Sequence, residues 1–357
     1  MFGIAFRALN IPGLWLVPGR NSVQLNSKIN GFRSRRITTA VASLLLTCFI
    51  ASQAWCANLW VSFDDGGGVA SYTSAQIKKT GSPSPVVLST YSYSSGLAFD
   101  QAHSLWVVSN GNQVARFTAA QLKNLKNNPS PTPEAIITST GFDYLYGCNF
   151  DPQGNLWLAD YSADSIEELS KAQLDAGTAN LPSPAKAITS SSLDGPNFVT
   201  FDREGNAWVD NESSSTIVEF SASQLAAGGS QMPKVILRDD GSGSSISAPG
   251  ELAFDKAGDL WVPNYGSDTV AEYAKDQLTT SGTPAPKVKL NSAAFNDEGP
   301  WAAVFNSKGD LVVMNYSDGT ILEFTPRQLK ASGAPVPKVS VTGSETENYQ
   351  IIFGPSS

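Results

Sequence analysis

Hydrophobic positions in this chain fall into short runs separated by glycine turns, and the runs return at a fixed interval. Phe-Asp or Phe-Asn stands at Phe99-Asp100, Phe150-Asp151, Phe201-Asp202, Phe254-Asp255 and Phe305-Asn306, at spacings of 51, 51, 53 and 51 residues. A second series follows: "NLWVS" from Asn58, "SLWVV" from Ser104, "NLWLA" from Asn155, "NAWVD" from Asn206, "DLWVP" from Asp259 and "DLVVM" from Asp310. A third series, "GVASYT", "QVARFT", "SIEELS", "TIVEFS", "TVAEYA" and "TILEFT", ends at residues 73, 118, 170, 221, 274 and 325. Runs rich in β-branched and aromatic residues, divided by Gly-Asn or Gly-Asp, predict hairpins. The alternating third series predicts the next strand.

A capping box follows the third strand, with Thr or Ser three residues before Gln: Thr73/Gln76, Thr118/Gln121, Ser170/Gln173, Ser221/Gln224 and Thr325/Gln328. It predicts a short helix in each repeat, with Pro326 at a first helical position. Pro-x-Pro pairs such as Pro284/Pro286 and Pro335/Pro337 lead to a fourth strand, "KVKL" or "KVSV", where an edge position tolerates proline. Four antiparallel strands repeated radially define an all-β, six-bladed β-propeller. The Phe strand has a sixth copy, "YQIIFG" from Tyr349, with no Trp strand after it, while "NLWVS" has no Phe strand before it. The C-terminal strand is therefore expected to supply the inner strand of blade 1, a one-plus-three closure that removes an open edge.

Charge separates the N-terminal segment from the rest. Residues 1–54 hold six basic residues and no acidic one, leaving 18 Lys+Arg against 32 Asp+Glu in the remainder, a net charge near −14. Such a body argues against nucleic acid or an anionic membrane surface as a partner. "RSRR" before the apolar run Ile37 to Ala51, with "SQA" at 52–54, predicts a signal peptide cleaved after Ala54. The apolar run is about fifteen residues, short of the roughly 20 that span a bilayer. Residues 1–54 are thus read as leader and signal and 55–357 as one propeller, secreted or periplasmic, monomeric and free of the membrane after cleavage.

The phrase "FDxxGNLWVxN" is similar to the NHL repeat, and to the six-bladed folds of the senescence-marker/gluconolactonase proteins and the virginiamycin B lyase group. The resemblance spans about 300 residues and concerns architecture. A virginiamycin-lyase-like mechanism implies a histidine base in the central cleft, yet the only histidine, His103, occupies the turn position held elsewhere by Gly154, Gly205, Gly258 and Gly309. That position calls for a positive φ, which His tolerates better than most residues, and it lies opposite the expected ligand mouth. In the gluconolactonase family the column four residues before each inner-strand Phe supplies Glu, Asn and Asp ligands to a divalent metal. Here it reads Ser95, Tyr146, Asn197, Gly250, Trp301 and Tyr349, and Asn197 alone matches. One amide does not make a hard-cation site, so no metal or other cofactor is expected.

Features that repeat around the ring are read as scaffold. The Trp series should pack between blades, and Glu168, Glu219, Glu272 and Glu323 should make blade-to-blade or strand-edge contacts. Asp160, Asn211, Asn264 and Asn315 should cap the following turn. Cys56 and Cys148 fall on non-adjacent blades and are not expected to pair, and Cys148 has no histidine to activate it. Function is sought where the repeats disagree: Tyr144, Tyr146, Asn197, Glu251, Glu298, Trp301 and Tyr349 on the segments entering the inner strands. These rings either plug the channel or give flat apolar faces with a few polar groups, as small-molecule sites do. The leading expectation is a binding or interaction module with no catalytic residues, taking a planar ligand, sugar, peptide or protein. A metal-dependent lactonase or lyase using Asn197 with Glu251 or Glu298 is the alternative. The acidic surface and the outer strand edges are a further possible protein-binding surface.

Overall fold

The computed structural model describes residues 57–63, 68–89, 91, 93–295, 299–343 and 347–355. The expected leader and signal, Cys56 and Glu298 lie outside these residues. The described chain forms six sheets, each with four antiparallel strands and two with a fifth, arranged as the blades of a propeller. Their inner strands are Asn348–Gly354, Ser94–Phe99, Leu145–Phe150, Pro196–Phe201, Ala253–Phe254 and Pro300–Phe305, for blades 1 to 6 respectively. The C-terminal strand Asn348–Gly354 pairs antiparallel with Asn58–Phe63, so blade 1 is built from both ends of the described chain.

The motif residues act as scaffold for identifiable reasons. In the Phe-Asp turns, Asp151 Oδ1 accepts from the backbone N–H groups of Gln153 and Asn155 at 2.9 and 2.8 Å, closing the turn. Its Oδ2 accepts from Trp157 Nε1 at 3.1 Å, which satisfies the one polar atom of a buried indole. Asp100 with Trp106 and Asp202 with Trp208 repeat that bond at 3.0 and 3.1 Å. Trp60, Trp106, Trp208 and Trp261 each meet the phenylalanine of the next blade edge-on, as in Trp60–Phe99 at 5.6 Å and Trp208–Phe254 at 5.9 Å. His103 is exposed with φ 62°, the left-handed conformation its glycine equivalents adopt.

The capping boxes form, with Thr118, Ser170 and Ser221 each accepting from the N–H of the glutamine three residues on. The helices they start are α-helical in blades 2 to 4 (Ala119–Lys123, Lys171–Asp175, Ala222–Ala227) and a single 3-10 turn in the other three. Gln76, Gln121, Gln224, Gln277 and Gln328 also donate onward to a carbonyl of the following segment, for example Gln224 Nε2 to Met232 O at 2.6 Å. The helix therefore fixes the course of the Pro-rich stretch after it.

That stretch overturns the expectation of open outer edges. Ala179–Leu181 of blade 3 pairs in parallel with the outer strand of blade 2, Ala135–Ser139, and Gly229–Ser230 of blade 4 with Lys186–Thr189 of blade 3. Gly81, Gly282 and Gly333 make the same parallel bridge to Val341, Leu237 and Leu290 of their preceding blades. Between blades 1 and 2, Ser89 N donates to Pro129 O at 2.9 Å. The segment that lengthens each repeat thus covers the edge of the blade before it, a standard protection against unwanted strand pairing. The outer strands are thereby paired in part on their far side.

The repeated glutamates make strand-edge contacts within their own blades. Glu168, Glu219 and Glu272 pair with Lys186, Lys234 and Lys287 at 2.6, 2.7 and 2.7 Å, and Glu323 pairs with Lys338. Blade 2 inverts the charges, placing Arg116 on the third strand and Glu134 before the fourth, 3.3 Å apart.

Candidate functional site

The buried Asp and Asn three residues after each Trp position do not chiefly cap the following turn, as expected. They clamp the segment entering the inner strand of their own blade. Asp160 accepts from the N–H groups of Asp143 and Tyr144 at 2.8 and 2.9 Å, with a longer bond from Ala163 N at 3.2 Å. Asn211 accepts from Asp194 N at 3.1 Å and Asn264 from Ser247 N at 3.0 Å, while Asn315 donates to Ala294 O at 2.9 Å. A repeated scaffold residue thereby sets the position of the loops that carry the non-repeating side chains.

Four of the expected site residues, Tyr144, Tyr146, Trp301 and Tyr349, fall in one continuous aromatic cluster at the end of the channel where the inner strands begin. Tyr146 contacts Tyr144, Tyr161 and Tyr349 with ring centroids 5.4, 5.1 and 5.7 Å apart. Tyr93 bridges Tyr144 and Tyr349 at 6.0 and 5.6 Å. On the other side Tyr316 joins Tyr349 to Trp301 at 5.7 and 5.4 Å, and Tyr265 packs on both Trp301 and Tyr316. Trp301 and Tyr349 are buried beneath the cluster, whereas Tyr144 is 38% exposed and Tyr93, Tyr146, Tyr161, Tyr265 and Tyr316 are half-buried. Seven of the chain's ten tyrosines gather here. Burial, together with the neighbouring hydroxyls and Glu212, holds the Tyr146 phenol well above its ordinary range.

Tyr161, Tyr265 and Tyr316 were not among the expected residues, though their signal is readable. They share a column four residues after the Trp position that otherwise reads Asp64, Asn110 and Glu212, so it breaks the repeat as the inner-strand column does. The stretch "FDKAGDLWVPNY" thus combines turn and core residues with a tyrosine, Tyr265, that belongs to the mouth.

Asn197 and Glu251 lie deeper and do not join the aromatic surface. Glu251 sits on the channel axis, where it accepts from Gln350 Nε2 at 2.8 Å and Ile351 N at 3.1 Å. Burial raises its carboxyl to about 8, against the pull of those two donors. Asn197 Nδ2 donates to Glu212 Oε2 at 3.3 Å. Nearby Asp210 is wholly buried without a well-formed hydrogen bond to either oxygen, and burial first, then the charges of Glu251 and Glu212, pushes its pKa well up. Cys148 is a free, buried thiol whose pKa is raised by burial and by Glu251, which leaves it inert as a nucleophile.

These residues do not fit a divalent metal. Among the described residues no three His, Cys, Asp or Glu side chains are placed to hold one. In the column that would carry it, Ser95 donates to Tyr146 O at 2.9 Å, and Gly250 lies so close to Trp301 O that a Cβ there would stand 1.9 Å away.

The class defined by this architecture is the six-bladed β-propeller. No family profile and no curated protein matches the chain. Solved structures do. Virginiamycin B lyase from Staphylococcus aureus is similar at 14% identity and a TM-score of 0.50, covering 78% of this chain and 84% of the lyase. A protein of unknown function from Bacteroides caccae is similar at 11% identity and a TM-score of 0.57, covering 84% and 100%. A putative 6-phosphogluconolactonase from Bacteroides uniformis is similar at 12% identity and a TM-score of 0.50, covering 76% and 79%. Likeness at this level is likeness of fold.

Proposed function

We propose that this chain is an exported binding module whose tyrosine-rich channel mouth takes a flat, uncharged ligand, a sugar ring or a short peptide, without transforming it. The observation that carries the reading is the gathering of Tyr93, Tyr144, Tyr146, Tyr161, Tyr265 and Tyr316 as partly exposed rings over the buried Trp301 and Tyr349. Tyrosine offers a rigid face and a hydroxyl at low entropic cost, which suits both sugar stacking and peptide recognition. Glu212 beside the cluster and the acidic body disfavour an anion. A lactonase or lyase, the activities named for two of the structural neighbours, is disfavoured because Glu251 is committed to Gln350 and Ile351 and, among the described residues, no His, Cys, Asp or Glu cluster is placed to hold a metal.

The test is calorimetric titration of the protein with panels of neutral oligosaccharides and short peptides. Binding should weaken at least tenfold in Tyr144→Ala and Tyr146→Ala, since an aromatic anchor at a site is worth roughly 1–3 kcal/mol. Absence of binding across both panels overturns the proposal. So does chemical change of a bound ligand, detected by mass spectrometry, that is lost in Asn197→Ala.

A further inference from the structure

A second cavity lies away from the tyrosine surface, at the opposite end of the blades, where the inner strands finish in the Phe-Asp turns. It is a groove of about 890 Å³ running across blades 4, 5 and 6. Its apolar floor and wall are formed by Phe201, Phe254, Phe305, Trp261 and Leu329. The three phenylalanines are half-buried. A volume of this size falls within the range of small-molecule sites.

A groove between blades recurs around the ring, so the informative comparison is with its counterpart. Between blades 2 and 3 the equivalent space is about 220 Å³. That smaller space spans two blades rather than three, and Arg116 and Lys171 line it among Asp100, Asp151 and Asp175; its rim positions Gln101, Gln153 and Asp175 are Lys256, Lys308 and Lys330 in the large groove. Arg203 adds a fourth cation from blade 4. All four are exposed. Lys256 Nζ donates to a carbonyl, Ser307 O, at 2.6 Å, which leaves its charge uncompensated by that bond.

The carboxylates that line the same groove are engaged by the scaffold. Asp202 accepts from Asn206 and from Trp208 Nε1, and Asp255 accepts from the N–H groups of Ala257, Gly258 and Asp259. Asp259 and Glu272 share Lys287 at 3.0 and 2.7 Å. A cation-rich rim over an apolar floor is thus set into a body whose net charge is near −14. One further feature marks this groove. Trp106, Trp157 and Trp208 donate their indole N–H to the turn aspartate of their blade, but Trp261, 2% exposed, has no acceptor for its own.

We infer that this groove is a second binding site, for a small amphipathic anion: an aromatic or aliphatic body with one carboxylate, sulfate or phosphate group. The apolar part lies on Phe254, Phe305 and Trp261, and the acidic group meets Lys256, Lys308 and Lys330. This site is independent of the tyrosine surface, and its ligand is of the opposite charge preference.

Two fluorescent probes test the inference. 8-Anilinonaphthalene-1-sulfonate carries the anionic group, and N-phenyl-1-naphthylamine is nearly the same body without it. The sulfonate should bind at least tenfold more tightly, and a Lys256→Glu/Lys330→Glu double variant should lose at least tenfold in sulfonate affinity while its affinity for the neutral probe stays unchanged. Both lysines are exposed, so far-ultraviolet circular dichroism should match the parent. Lys123→Glu, on an exposed helix position in blade 2, should leave both affinities unaltered. Equal binding of the two probes, or sulfonate affinity within twofold of the parent in the double variant, overturns the inference.

Discussion

Glu251 of blade 5 accepts a hydrogen bond from Gln350 of blade 1 at 2.8 Å, a bond between two blades that are not neighbours. The same glutamine accepts from Leu97 N at 2.6 Å in blade 2 and donates to Cys148 O at 3.3 Å in blade 3. One amide side chain therefore ties four blades at the axis. Gln350→Ala would leave a buried carboxyl short of one donor and a buried N–H without an acceptor. Each such orphan costs roughly 1–3 kcal/mol, so the variant should lose on the order of 3 kcal/mol, read as a lower midpoint in urea unfolding.

Glu251 also makes stability depend on pH. Its folded-state pKa is raised by burial from the ordinary 4.5 to about 8, and that of Glu167 is raised to about 8 by burial and by Asp160. The folded state then holds protons that the unfolded state has released, so these two groups stabilise the fold fully in acid, and their contribution falls as pH rises from about 5 to 8. Unfolding free energy measured across that range should decline in the parent, and Glu251→Gln should make the decline shallower. A parent whose stability rises from pH 5 to 8 would contradict this assignment.

The turn aspartates differ in what their second oxygen does. Asp151 Oδ2 accepts from Trp157 Nε1 and from Asn155 Nδ2, at 3.1 and 2.8 Å. Trp261 Nε1 of blade 5 lacks such a partner. Asp151→Asn would turn an amide NH₂ toward two donors, and should cost about 2 kcal/mol more than Asp255→Asn by thermal unfolding, since unmade buried hydrogen bonds cost about 1–3 kcal/mol each. Blade 6 supports this reading: where Val312 replaces the tryptophan, Asn306 replaces the aspartate, and its Nδ2 donates to Asp310 at 3.0 Å.

The inverted pair in blade 2 should show coupling. Arg116 lies 3.3 Å from Glu134 and 3.8 Å from Asp100, and its guanidinium stands 5.5 Å from the centre of the Trp106 ring. Arg116→Glu alone would gather three carboxylates and should destabilise by about 2 kcal/mol, while Arg116→Glu/Glu134→Lys, which restores the polarity of the other blades, should recover at least about 0.5 kcal/mol of it. A double variant no better than the sum of the single variants would show that the two residues act independently.

Gly147 allows a close approach between the inner strands of blades 3 and 4. A Cβ there would stand 2.1 Å from the Phe198 ring and 2.8 Å from Asn197 O, one of them fixed backbone. Gly147→Ala should cost on the order of 3 kcal/mol through overpacking. Adding Phe198→Leu should return part of it in the same unfolding measurement.

The ring was legible before any coordinates because its determinants are local and repeat. A Phe-Asp turn, a tryptophan flanked by apolar residues and a Thr-x-x-Gln box each specify structure within a few residues. The mouth was half legible: Tyr144, Tyr146, Trp301 and Tyr349 stand out as departures from the repeat, and Tyr161, Tyr265 and Tyr316 depart from it in a second column, four residues after the Trp position. Asn197 and Glu251 occupy neighbouring columns, yet they belong to a buried polar layer.

The six-fold count, the blade register and the absence of a histidine from the channel follow from the sequence by itself, because they depend only on spacing and residue type. Three things were decided only by the tertiary structure. Gln350 meets Glu251 across 99 residues of chain; the Pro-rich segments cover the edges of the preceding blades; and three lysines from two blades converge on one groove. Each is a contact between blades, and such contacts are set by how repeats stack around the axis, which no periodicity within a single repeat encodes.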